Sequence, residues 1–171
     1  MIPDIAHVVP IIIQSIQLAS TISTVLILRR FGRKPLILLG NIGLALTDLA
    51  IGLLFTFRSW SPSGYFIFAL LIVFNVTYGV TLGPVVWLYV PEIIPAKVVP
   101  FATMLNWTGA SICVLLTPIV IKINHGDPDV VFYFFGGITL LFFFINALLL
   151  VETKGKSTKQ IATLFLRPKQ S

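Results

Sequence analysis

The chain has 171 residues, of which 57% are hydrophobic and 11% charged, with a mean hydropathy of +0.99 and a net charge of +6. A charged fraction about half that of a soluble domain excludes a water-facing globule, and the basic residues lie in short segments beside apolar blocks, a topological pattern rather than a nucleic-acid surface. A single cysteine, Cys113, rules out a disulfide framework, and no metal-ligand spacing, phosphate loop or nucleophile–base pair points to an enzyme or a cofactor.

Residues 1–8 lack the basic region of a secretory signal and read as a loop end. Residues 9–28 carry no charge and are long enough to cross a ~30 Å hydrocarbon layer as a helix. Gln14, Gln17, Thr21 and Thr24 recur within them at helical spacing, so they share a face that turns toward protein or water. The block ends at Arg29-Arg30-Phe31-Gly32-Arg33-Lys34-Pro35. Residues 36–57 form a second span that holds Asp48, the one acid within a span, with Asn41, Ala45 and Gly52 on the same side. A charge at that depth costs roughly 2.5–3.5 kcal/mol on insertion scales, so the carboxyl is expected to be neutralised or hydrogen-bonded on a helix–helix face.

After a turn over 58–65, residues 66–90 form a third span interrupted by Gly83-Pro84, which marks a place built to bend, with Trp87 one turn later. Residues 91–100 connect to a fourth span, 101–121, whose second turn carries Asn106 and Trp107. The glycosylation sequons at Asn75 and Asn106 fall inside spans, out of reach of that modification. A short loop over 122–129, a fifth span over 130–150 and a basic tail over 151–171 complete the chain. Ten of the twelve Lys and Arg residues fall in the first connection, the 91–100 connection and the tail, which places those segments in the cytoplasm and the N-terminus opposite.

Several of these segments, in order and spacing, resemble the sugar porter family of the major facilitator superfamily from its eighth to its twelfth helix. Arg30-Phe31-Gly32-Arg33-Lys34 resembles the Arg-x-Gly-Arg-Arg signature between helices eight and nine, and Gly83-Pro84-Val85-Val86-Trp87 the Gly-Pro-x-Pro-Trp of helix ten. Glu92-Ile93-Ile94-Pro95-Ala96-Lys97 looks like Glu-x-Phe-Pro-x-Arg, Asn106-Trp107 like the Asn-Trp of helix eleven, and Glu152-Thr153-Lys154-Gly155-Lys156-Ser157 like Pro-Glu-Thr-Lys-Gly-Arg-Ser. The chain departs from the family at Arg29, where an acid is usual, at Val86 and Val151, which replace prolines, and at Val99-Pro100, which replaces Arg-Gly.

The resemblance implies an all-α transmembrane fold, a five-helix partial C-terminal bundle over 1–171, and hexose transport by alternating access with helices this chain lacks. It implies sugar contacts from Gln17, Trp87, Asn106 and Trp107, and a cytoplasmic gate in which Arg30, Arg33 and Lys34 pair with Glu92 and Glu152 beside Lys97. Gly79 stands where some members carry a glutamate. The expected partners are the lipid bilayer, a sugar and a separately encoded N-terminal half; the expected location is the plasma membrane. The alternatives are a non-transporting membrane fragment or assembly subunit, and a porter for another polyol or an organic acid.

Overall fold

The computed structural model describes residues 3–57, 63–157, 160, 161 and 163. Arg58, Trp60 and Pro62 of the expected turn, and Lys159 and Arg167 of the tail, lie outside the described residues. The described chain is helical: α1 (Pro3–Phe31), α2 (Arg33–Thr56), α3 (Ser63–Val80), α4 (Leu82–Ile93), α5 (Val99–Ile123) and α6 (Asp129–Leu149). Five stretches, with α3 and α4 counted together, are long and apolar enough to cross a membrane, and the chain is a multi-pass membrane protein.

Three boundaries differ from the sequence reading. The first helix already includes Pro3, ahead of the expected start at residue 9. The α4 helix runs through Pro91 to Ile93, so Glu92 belongs to its last turn rather than to a loop. The break in the third span falls at Thr81, not at Gly83-Pro84. The cause is still Pro84, because a proline cannot donate to the carbonyl four residues earlier, and that carbonyl is Val80's.

The break is packed from two sides. Gly40 of α2 leaves no room for a side chain where Thr81 and Leu82 press in, and at Gly79 a Cβ would come within 2.9 Å of Ser20 Cβ and 3.1 Å of the Gln17 carbonyl. On the other flank α2 packs along α6: at Gly136 an added Cβ would sit 2.9 Å from Leu49 and 3.2 Å from Asp48 Cβ, and at Gly52 it would sit 3.1 Å from the Tyr133 ring. Small residues that let membrane helices approach are the usual means of such packing. The face Asn41, Ala45, Asp48 and Gly52 is buried accordingly.

The most buried apolar cluster, Leu36, Ile37, Val85 and Tyr89, lies near the basic end of the bundle with Ile27, Leu28, Leu82, Ile93 and Leu150 around it. No residue of α5 is buried.

Candidate functional site

At the basic end the chain leaves α1 and enters α2 through Gly32, whose φ of 88° suits glycine. The glycine is required twice, since a Cβ there would lie 2.7 Å from Glu152 Oε2. Glu152 comes from the segment after α6 and accepts from the backbone N–H of Arg33 (3.1 Å), Lys34 (3.0 Å) and Lys154 (2.8 Å). It caps the N-terminus of α2, supplying the acceptor and the negative charge that a helix start favours. Burial pushes the Glu152 carboxyl up, but the backbone donors of Lys154, Arg33, Lys34 and Thr153 outweigh it and hold it below the ordinary glutamate value.

Arg33 directs its guanidinium to Glu92 at the end of α4, with Nη2 at 2.8 Å and Nε at 3.2 Å from Oε1. The other Glu92 oxygen accepts from the Thr153 hydroxyl. The Tyr89 hydroxyl donates to the Val151 carbonyl at 2.9 Å and lies 3.1 Å from the Val151 N–H. Lys34 Nζ donates to the Ala147 carbonyl in the last turn of α6, and Lys154 Nζ to the Arg30 carbonyl at the end of α1. Together these bonds tie the ends of α1, α2 and α4 to the segment 151–154, and Lys34 ties α2 to α6.

This cluster keeps one of the expected charge pairs, Arg33 with Glu92, and corrects the others. Among the described residues Arg33–Glu92 is the ion pair; Glu152 is held by backbone N–H groups, Lys34 goes to a carbonyl, and the Arg30 side chain and Lys97 are exposed and outside these bonds. A glycine-entered helix offers free N–H groups, so the carboxylate takes the backbone rather than a flexible side chain.

Just inside the cluster is a cavity of about 750 Å³ between α2, α4, α5 and α6. Trp87, Asn106 and Trp107 all line it, as do Tyr78, Thr103 and Asn146. Asn41 reaches the same cavity from α2, buried, and among the described residues its Nδ2 has no hydrogen-bond partner. Gln17 does not line this cavity: it is half-buried on α1, against the α3 backbone at Gly79. The α1 face read as polar instead delivers Thr24, whose Oγ1 lies 2.9 Å from the Gly79 carbonyl and 3.1 Å from that of Val80.

Asp48 is buried on the α2–α6 face, as expected, and among the described residues it has no hydrogen-bond or ion-pair partner, so of the two expected states, neutralised or hydrogen-bonded, the hydrogen-bonded one is not found. Sequence reasoning missed Tyr89, Thr153 and Asn146. Thr153 was visible as part of the Glu-Thr-Lys-Gly stretch, whereas nothing in the sequence joins Tyr89 to Val151, 62 residues away.

Residues 3–165 match the model of the family described as Sugar (and other) transporter. A probable metabolite transport protein of Bacillus subtilis is 33% identical over 143 residues, 82% of this chain and 31% of its own. The facilitated trehalose transporter of Polypedilum vanderplanki is 30% identical over 161 residues, 88% of this chain and 31% of its own. A double-tryptophan mutant of XylE, a xylose transporter from E. coli, superposes with a TM-score of 0.85 over 94% of this chain and 35% of that chain, at 24% identity, a likeness of fold. The chain thus spans about a third of the length of the curated relatives it matches.

Proposed function

Since the chain belongs to the sugar porter family of the major facilitator superfamily, we propose that it supplies part of the sugar cavity and one gate of a hexose carrier. In this reading it corresponds to helices eight to twelve and works by alternating access with the further helices such a carrier needs, in the plasma membrane, with its basic end in the cytoplasm. The observation that carries the reading is the cavity shared by Trp87, Asn106 and Trp107. A sugar ring offers hydroxyls at its edge and C–H groups on its faces, which amides and indole rings match respectively.

The bonds at the basic end support the gate. Arg33, Glu92, Glu152 and Thr153 hold the ends of α2 and α4 to the segment after α6, so separating these helices on that side requires breaking a charge-assisted set. A second reading, an assembly subunit that moves no sugar unaided, is favoured by α5, which buries no residue and so has neighbours still to gain.

Counterflow of D-glucose against L-glucose tests both readings, in liposomes holding either the purified chain or an assembled carrier that contains it. Saturable, stereospecific flux from the assembled carrier and none from the chain alone is expected. Absence of stereospecific flux from the assembled carrier overturns sugar transport; flux from the chain alone overturns the need for further helices.

A further inference from the structure

Asp48 lines a second cavity, of about 290 Å³, walled by Phe74 of α3, Phe132 and Phe135 of α6, Leu44, Val131 and Thr139. The residue is 7% exposed and, among the described residues, unpartnered. Gly136 brings α6 against α2 at this level, and the Phe132 ring is held by stacking on Phe55, with centroids 5.6 Å apart. One wall of the cavity is therefore fixed before anything enters. Asp48 lies eight residues before the end of α2, about 12 Å below the end of the bundle opposite the basic one.

An unpaired carboxylate at such depth is penalised, and either a proton or a cation that takes the proton's place relieves it. Phenylalanine faces carry the negative side of the ring quadrupole and attract cations, most strongly where water is excluded. A single carboxyl among three such rings, with no Lys or Arg lining the cavity, matches one ligand chemistry. We propose that this cavity is a binding site for an alkylammonium group, whose charge pairs with Asp48 and whose methyl or methylene groups pack on Phe74, Phe132 and Phe135. Thr139, which also lines the larger cavity, provides a hydroxyl for a primary or secondary amine. The site is independent of sugar transport and needs none of the residues proposed to contact sugar.

Titration of benzyltrimethylammonium into the purified chain in phosphatidylglycerol nanodiscs tests this, with neopentylbenzene as the neutral isostere in which carbon replaces nitrogen. Saturable binding of the cation is expected, weakened at least tenfold by Asp48→Asn and several-fold by Phe135→Leu, with the neutral isostere bound at least tenfold more weakly. Equal affinity of the parent and Asp48→Asn, or of the cation and its neutral isostere, or no saturable binding, overturns the proposal. Because Phe135→Leu keeps the carboxyl and most of the apolar area, it remains informative if Asp48→Asn fails to fold; unchanged cation affinity in it contradicts the aromatic wall. In phosphatidylcholine discs the same affinity is expected. A loss there that depends on Asp48 would show that the lipid headgroup, rather than a free amine, is the occupant.

Discussion

Thr24 Oγ1 stands 3.1 Å from the carbonyl of Val80, the group that Pro84 leaves without a helical donor. The same hydroxyl is 2.9 Å from the Gly79 carbonyl and 3.2 Å from that of Ser20 in its own helix. It has one proton for three acceptors, so α1 supplies what the broken helix lost and can retain a partner in its own helix if α4 moves. Thr24→Val keeps the shape and removes the donor. It should destabilise the chain by about 1–2 kcal/mol and speed hydrogen exchange at the break, whereas Thr24→Ser should stay near the parent. Hydrogen exchange across residues 77–86 and denaturant unfolding in detergent measure this; a parent-like Thr24→Val contradicts the capping role.

Gly32 should be among the least replaceable positions. Alanine meets a φ of 88° with ψ −179° and the Glu152 carboxylate at once, and that essentially glycine-only backbone region alone costs roughly 1–3 kcal/mol. Gly32→Ala is expected to lower thermal stability more than Gly126→Ala, where φ is also positive, 89°, but the space around it is open. Equal losses would mean that the Glu152 contact contributes nothing.

Glu152 makes stability depend on pH with a definite sign. Its folded value lies below the ordinary 4.5, so the folded chain holds fewer protons than the unfolded chain, and its contribution is present above about pH 4.5. It is lost as the pH falls through the depressed folded value. Glu152→Gln should therefore flatten the acid limb of the stability profile while changing little of its shape near neutrality. An unchanged acid limb in that variant would assign the pH dependence elsewhere.

Arg33 and Glu92 are both partly buried, with side chains 23% and 28% exposed. A double-mutant cycle with Arg33→Ala and Glu92→Ala should give a coupling of about 0.5–3 kcal/mol. Arg33→Lys should lose most of it, because lysine has one nitrogen on a flexible stem in place of the rigid fork by which Nε and Nη2 both reach Glu92. Additive single effects would reduce this contact to a surface pair.

The spans, the bend and the chemistry of the basic end were legible because hydropathy, proline and clustered charge each leave a local mark. Gly83-Pro84 pointed to a break within three residues of Thr81, and Trp87 and Asn106 to one wall of a cavity. Partnership was not legible. Nothing local tells that Glu152 will take the backbone of α2 while Arg33 goes to Glu92, since the choice depends on Gly32 opening the helix start to a carboxylate 120 positions later. Gln17 looked equivalent to Thr24 by periodicity, and only the packing of Gly79 against Ser20 decides that one faces a helix backbone and neither faces the large cavity.

The central claim is that Trp87 and Asn106 receive sugar together, and equilibrium binding of D-glucose to an assembled carrier containing this chain tests it most directly. Trp87→Leu removes an aromatic face and Asn106→Leu leaves a bound hydroxyl unpaired, a loss of roughly 1–3 kcal/mol, so each should weaken binding about tenfold or more at unchanged surface expression. Parent-like affinity in both variants would make these residues packing and place the sugar outside this cavity.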